Sequence, residues 1–455
     1  MFVPNELEKL ADIFKKHKST LYVVGGYVRS QLMGLGTDPD IDLASKTKPH
    51  DIIRMLIGTD FKATIMNERA GVVEIVVGNY RFEHATFRTE KYAVSGEHMP
   101  AEVEFIDSVD EDAKRRDFSC NAIYYDIYSG QIVDPLGGEV DIKNKILRAC
   151  VEPRYLFKND AERILRMIRF ACSCGFAVEQ KTLDAAKDNV FRLKFLSMAR
   201  KRKEVGRILL ADLKYPSLNL QFAHIQAIEM LKDIGAIKYL FPNLNEALEM
   251  NNQMPNGETA EDYLNVLLHF ATPNVRLVAL LALCGTDGYE KNGKVQKGFS
   301  KESADEAEYQ LRNLEYSNET IKVATCCIAN FEKLSKDKLT LSDARIISIT
   351  NYNQLDELED FALAARSAHL LGNVEFSKSY VNIRLAKKQN DNKLFATNIN
   401  QIKITNEQIR EIKDFNAEKC CEIKQKLLVL GAKKGRLLTN KENLKYARKL
   451  INQQL

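Results

Sequence analysis

The sequence predicts an α+β protein, with a mixed-sheet head over about residues 1–150 and all-helical segments after it. Three observations carry this. An apolar strand over 21–24 runs into Gly25-Gly26, and a short second strand carries Asp40-Ile-Asp42. A β-like run over 72–82 follows and ends on Glu83-His-Ala-Thr86. From Tyr155 onward apolar residues recur at helical spacing, over 184–194, 203–210, 221–232, 260–270, 301–314 and 406–428. A glycine-rich loop is expected at 293–298, and a polar break at 390–400 opens a tail. The helical part divides into 151–215, 216–388 and 389–455.

The elements follow in chain order. Gly25 and Gly26 stand where the first strand hands over to a helix expected over 28–33. Residues without Cβ let an anion approach the backbone, and a helix start presents unpaired N–H groups to it. Arg29 is placed to add a charge-assisted contact. Asp40 and Asp42 are two apart on a strand, so they share a face while Ile41 and Leu43 enter the core. Such a pair can hold Mg²⁺, which takes carboxylate and phosphate oxygens, although taken alone it also suits an exposed strand end. Glu83 offers a third carboxylate on a neighbouring strand. Arg115-Arg116 precede an apolar segment and can neutralise phosphate charge. Over 159–171 a helix is expected with Ile164, Leu165 and Ile168 on an apolar stripe, and Asp160, Arg163, Arg166 and Arg169 fanned across the other face, a pattern that an ordinary solvated charged face shares.

As a set, these residues resemble the class II tRNA nucleotidyltransferases (CCA-adding enzymes) and the closely related bacterial poly(A) polymerases of the polymerase β superfamily. The match runs through Gly25, Gly26, Val28 and Arg29, then Asp40 and Asp42, then Arg115-Arg116-Asp117-Phe118 with Asn121, and Asp134-Pro135-Leu136-Gly137-Gly138. It continues in Asp160 and Arg163, and in Ser197-Met-Ala-Arg200-Lys-Arg-Lys-Glu204-Val, covering about the first 210 residues. Ile234-Gly-Ala-Ile and Leu240-Phe-Pro resemble the family's body more loosely. The chain departs from the pattern at Ser30 (usually aspartate), Asn159 (usually glutamate) and Ala199 (commonly glutamate).

The resemblance implies a polymerase-β-like nucleotidyltransferase head followed by all-α neck, body and tail. It implies Asp40 and Asp42 as Mg²⁺ ligands with Glu83 as third carboxylate, and Gly25, Gly26, Arg29 and Arg116 at the triphosphate. Asp160 and Arg163 would read the Watson–Crick edge of the incoming base, with Arg166 and Arg169 supporting the nucleotide. The implied activity is addition of C, C and A to the tRNA 3′ end from CTP and ATP. Segment 88–103 matches a loop that members adding only cytidine tend to lack. An A-adding enzyme, a poly(A) polymerase and a catalytically idle RNA-binding protein remain as alternatives. No metal-binding histidine-aspartate pair stands at 281–288, nor a later histidine at 298–300, so the body is expected to lack catalysis of its own.

Composition agrees. The 455 residues are 45% hydrophobic, enough for several cores, and the net charge is only +4, so RNA contact must come from local patches. The candidates are Arg200, Lys201 and Arg202, and the tail cations Lys433, Lys434 and Arg436. The absence of tryptophan fits recognition of a folded RNA by shape and backbone. Nine scattered cysteines with no C-x₂-C pair, and only seven histidines, point to reduced intracellular thiols and not to a disulfide frame or zinc site. With no long apolar run and no signal-like start, a cytoplasmic protein without membrane contact is expected. No obligate protein partner is inferred.

Overall fold

The computed structural model describes residues 1–36, 40–92, 101–249, 260–282, 290–291, 294–295, 301–335, 337–350, 353–367 and 378–453. The chain forms two compact units, Met1–Leu240 and Phe241–Leu455.

The first unit opens with α1 (Asn5–Lys16), β1 (Tyr22–Val24), α2 (Gly26–Leu32) and β2 (Ile41–Ser45). Next come α3 (Pro49–Leu56) and the strands β3 (Lys62–Asn67), β4 (Val72–Val77) and β5 (Tyr80–Thr86). A side ribbon of β6 (Arg88–Lys91) and β7 (Glu102–Phe105) leads to α4 (Val109–Lys114), β8 (Tyr124–Asp126), β9 (Ile132–Val133) and α5 (Gly138–Asn144). Seven strands form one sheet in the order β3-β4-β5-β2-β1-β8-β9. Only β2 and β5 pair in parallel, so the sheet is mixed. That one parallel pair sets Asp42 directly opposite Glu83. Val24, Ala44, Phe87, Ala113, Ala122 and Tyr124 form a buried cluster in the head.

Four helices follow: α6 (Pro153–Asn159), α7 (Glu162–Cys174), α8 (Gln180–Asn189) and α9 (Met198–Leu209). The single helix expected across 159–171 is broken at Asp160, which is extended (φ −147°, ψ 101°). Its carboxylate accepts the backbone N–H of Glu162 at 3.0 Å, so Asp160 stops one helix and satisfies a donor at the start of the next. The charged residues therefore do not share one helix face, and Asp160 stands in the joint ahead of three arginines. A further helix, α10 (Ala223–Asp233), packs on α7 and α9, which carries the first unit past residue 215.

The Asp134-Pro-Leu-Gly137-Gly138 segment is a structural turn. Asp134 accepts the backbone N–H groups of Gly138 (2.8 Å) and Glu139 (2.9 Å) at the start of α5. A Cβ on Gly138 would lie 2.3 Å from the Ser119 carbonyl oxygen, so only glycine fits.

The described residues of the second unit are predominantly helical. The helix expected over 406–428 is instead two, Asn406–Arg410 and Ala417–Lys434, because Asn416 caps a new start by accepting from the Lys419 N–H. Short strands Glu290–Lys291 and Lys294–Val295 pair beside the expected 293–298 loop, whose residues 293 and 296–298 lie outside the described residues. So do 283–289 and 298–300, where the missing histidine-aspartate motif was sought, and 93–100 of the expected flexible loop.

Candidate active site

A cleft of about 850 Å³ in the first unit collects most of the residues expected at the site: Gly25, Gly26, Arg29, Asp40, Asp42, Arg116, Asp160, Arg163, Arg166, Arg169 and Arg200. Gly25 adopts φ +79°, the left-handed region that favours glycine, and a Cβ there would sit 3.4 Å from an Asp42 carboxylate oxygen. The turn and the carboxylate thus approach each other across the strand pair β1–β2. The helix starts at Gly26, two residues earlier than expected, since the glycine pair itself makes the turn.

Asp40 and Asp42 are both exposed at the cleft. Glu83 is exposed on β5 opposite Asp42 but does not line the cleft. Among the described residues no group of three or more His, Cys, Asp or Glu is close enough to hold a metal by itself. Two carboxylates open to a cleft nonetheless match Mg²⁺, which is commonly held by one or two carboxylates with substrate phosphates completing its shell.

Behind the carboxylates is a buried charge network. Asp112 is fully buried and accepts from Tyr124 (2.7 Å), Arg115 (2.7 Å) and Arg116 (3.3 Å). Burial alone would raise its pKa, but the Arg115 and Arg116 guanidiniums and the Tyr124 hydroxyl hold it at about 2. Arg116 also donates to the Tyr124 hydroxyl at 2.8 Å and packs over its ring, which fixes the guanidinium at the cleft wall. Glu90 joins from β6, accepting from Arg88 at 2.8 Å and from the Tyr92 hydroxyl at 2.6 Å. Burial pushes Glu90 upward, and Arg115 and Arg88 together bring it below its ordinary value.

The base-reading candidates are held by backbone and by each other. Arg163 is 3.5 Å from Asp160 and donates to the Arg115 carbonyl at 2.8 Å. Arg166 makes a two-pronged contact with Asp117 (2.5 and 2.8 Å), and Asn121 donates to the other Asp117 oxygen at 3.0 Å. Burial opposes the Asp117 charge, yet Arg166 and Asn121 leave its pKa well below the carboxylate range. Arg169 donates to the fully buried Glu204 at 2.7 Å, and Arg207 approaches the same carboxylate at 3.0 Å. Arg200 pairs with Glu162.

Arg29 reaches the cleft from beneath the glycine turn. Its side chain is almost wholly buried, donating to Asn121 and to the Tyr215 hydroxyl (2.6 Å) and stacking 4.8 Å from the Phe170 ring. It supports the glycine turn from behind, with a terminal nitrogen 3.7 Å from a Cβ built on Gly26. Ser30 donates to the same Tyr215 hydroxyl at 3.2 Å. Tyr215 was invisible to the sequence reading: it lies 186 positions from Arg29 and in no recognisable motif. Asp112 and Tyr124 were likewise missed, whereas Glu204 lay inside a matched motif without an assigned role.

The surface candidates separate. Lys201 is a correction: it is buried, and its ammonium donates to the Tyr239 carbonyl at 3.1 Å, because α9 turns this position into the core. Burial lowers its pKa. Arg202 is half-buried. Lys433, Lys434 and Arg436 are exposed, with Arg436 bound to Glu442 and Lys434 over the Tyr446 ring at 5.3 Å. No helix of the described residues is long and apolar enough to cross a membrane.

Comparisons with known proteins bear on this site. A family model described as the Poly A polymerase head domain matches residues 21–148, and one described as a probable RNA and SrmB-binding site of polymerase A matches 175–248. The CCA-adding enzyme of Lactobacillus helveticus (strain DPC 4571) is 36% identical over 209 residues, 44% of this chain and 51% of that protein. The chain thus spans about half the length of that relative. That of Streptococcus sanguinis (strain SK36) is 30% identical over 307 residues, 67% of this chain and 71% of that protein. Among solved structures, the Bacillus stearothermophilus CCA-adding enzyme in complex with CTP shares the fold, with a TM-score of 0.67 and 20% identity, covering 100% of this chain and 99% of that one. With the head model seated on the glycine turn and the carboxylate pair, and a relative matched over more than two thirds of its length, the chain belongs to the CCA-adding enzyme family of nucleotidyltransferases.

Proposed function

We propose that this chain adds C, C and A to the 3′ end of tRNA, taking CTP and ATP and releasing pyrophosphate. The observation that carries the reading is that one cleft joins a carboxylate pair able to take Mg²⁺ to an Asp–Arg pair able to read a base. Asp40 and Asp42 would hold the metal, with Glu83, opposite Asp42 in the sheet though outside the cleft lining, as the candidate third carboxylate. Mg²⁺ held there would supply Lewis-acid stabilisation of charge at the α-phosphate. The primer 3′-hydroxyl gives up its proton to water as its oxygen attacks the α-phosphorus, and the bond to the β-phosphate oxygen breaks to release pyrophosphate. Arg116 faces the triphosphate, the Gly25-Gly26 turn lets it approach the backbone, and Arg29 contributes positive charge from beneath.

Asp160 and Arg163 select the base, and Arg166 and Arg169 line the nucleotide's other side. A guanidinium and a carboxylate offer directional donors and acceptors, so a wrong base leaves buried polar groups unpaired. We read residues 1–150 as the catalytic head, 151–215 as the neck, 216–388 as the body and 389–455 as the tail, with Arg200, Arg202 and the tail cations toward tRNA. The cysteines among the described residues are unbridged, which fits a cytoplasmic setting.

The test uses purified protein, Mg²⁺, CTP and ATP with tRNA primers lacking CCA, ending in C, or ending in CC, resolved at single-nucleotide length. Growth of all three to CCA with a clean stop is expected. Extension of the CC primer alone would make this an A-adding enzyme, long ATP-only ladders a poly(A) polymerase, and no extension an idle RNA binder.

Tyr215→Phe tests the support under the turn. It removes a hydroxyl that accepts from a buried cation, a bond worth about 1.5 kcal/mol or more. That loss falls first on the fold, so the melting temperature should drop; as the support under the turn loosens, KM for CTP and for ATP should rise together, with KM for tRNA nearly unchanged. An unchanged nucleotide KM would remove Tyr215 from the site.

A further inference from the structure

Between α8 and α9 the chain makes a short 3₁₀ segment, Val190–Phe195, none of whose residues lines the cleft. Val190 and Leu193 are buried and anchor it, while Phe191 is 41% and Phe195 58% exposed. Two large apolar rings left in water at adjacent turns are unfavourable for an isolated chain. Cations lie over both rings: Lys194 is 5.9 Å from the centre of the Phe191 ring and 4.8 Å from that of Phe195, and Arg192 is 5.1 Å from that of Phe191. Arg192 is oriented by a 3.1 Å bond to Asn189.

The surrounding charge is one-sided. From 187 to 203 the chain carries, besides the buried Lys201, six Lys or Arg and a single Asp, in a protein whose whole net charge is +4. That one aspartate, Asp188, is paired with Arg154 at 3.2 Å. Flat π-faces beside cations are the elements of a single-strand platform: bases stack on the rings whatever their identity, and the cations take the phosphates. The platform is also within reach of the reaction. Arg200, whose side chain lines the cleft, is five positions on from Phe195, a stretch that spans at most about 18 Å.

We propose that Phe191 and Phe195, with Lys194 between them, form a stacking platform for unpaired nucleotides of the RNA primer just upstream of its 3′ end. The proposal rests on the tRNA-extending reading of the cleft and adds a second contact to it, one that grips the strand without reading its sequence. Two rings accommodate about two bases, so the platform is compatible with recognition of the rest of the RNA by shape.

The test compares two double variants of the full chain, Phe191→Leu with Phe195→Leu, and Phe191→Tyr with Phe195→Tyr. Leucine keeps apolar bulk and removes the π-face; tyrosine keeps the π-face. Binding is measured by fluorescence anisotropy, without nucleotide, on a tRNA transcript with an unpaired 3′ strand and on the same RNA made blunt. The leucine pair should weaken binding to the unpaired-end RNA about tenfold, the order of one lost base stack, with blunt-end binding unchanged. The tyrosine pair should bind as wild type. In extension assays the leucine pair should raise KM for tRNA while leaving KM for CTP alone.

Equal affinity of the leucine pair for the unpaired-end RNA would overturn the platform and leave the patch to an acidic protein partner. Equal weakening by both pairs, or equal weakening toward blunt RNA, would also overturn it, assigning the rings to packing or to general charge. If wild-type protein extends no primer, the reading of the cleft fails, while the binding ratios still decide the platform.

Discussion

Asp42→Ala protein should bind tRNA as the wild type does and transfer nucleotide at least about a thousandfold more slowly. The size of the loss follows from the chemistry. A metal clamp on a phosphoryl oxygen supplies several kcal/mol of transition-state stabilisation, and each ~1.4 kcal/mol is a factor of ten. Asp42 is the carboxylate on which the local architecture converges: β2 presents it at the cleft, the left-handed Gly25 turn faces it so that a Cβ built there would lie 3.4 Å from its oxygen, and Glu83 stands opposite it in the sheet register. The side chain is exposed, so its removal opens no cavity and the fold should be retained. Single-turnover extension of a CC-ending tRNA, alongside anisotropy for tRNA binding, separates the two effects. Near-normal turnover would defeat the carboxylate assignment, and a matching loss of tRNA affinity would make Asp42 a structural residue.

The sequence made the cleft's rim legible and left its foundations hidden, for a physical reason. Gly25, Asp40 and Asp42 lie within 18 residues of one another, so the strand period and glycine's conformational freedom place them together without tertiary information. Arg163, Arg166 and Arg169 follow from helical spacing in the same way. Asp160 is the exception that local reasoning got half right. Its nearness to Arg163 was evident, but its side chain satisfies a helix-start N–H, which breaks the helix expected through it. The supporting groups depend on contacts that no local pattern encodes. Tyr215 meets Arg29 across 186 positions, and Glu204 meets Arg169 across 35. Lys201 shows the converse failure. A run of four basic residues reads as one solvated face, but a helix turns successive residues by about 100°, and one of the four faces the core.

Arg163→Ala should loosen base choice while leaving tRNA binding close to wild type. Arg163 does two things that a smaller side chain cannot. It brings a fixed set of N–H donors to the cleft, steadied by its bond to the Arg115 carbonyl, and it lies beside Asp160, whose oxygens supply the complementary acceptors. Both side chains are about seven-eighths buried (12% and 13% exposed), so a base that fails to match them leaves desolvated polar groups without partners. A hydrogen bond to a charged group is worth about 1.5–3 kcal/mol, which sets the expected loss at roughly tenfold to a hundredfold in discrimination. The measurement is kcat/KM for CTP, ATP, UTP and GTP on tRNA primers of each 3′ length, with tRNA affinity followed in parallel. A uniform fall in kcat/KM for all four nucleotides would mean that Arg163 only braces the cleft wall through Arg115. A selective rise of UTP and GTP relative to CTP and ATP would identify the Asp160–Arg163 pair as the protein's substitute for a template base.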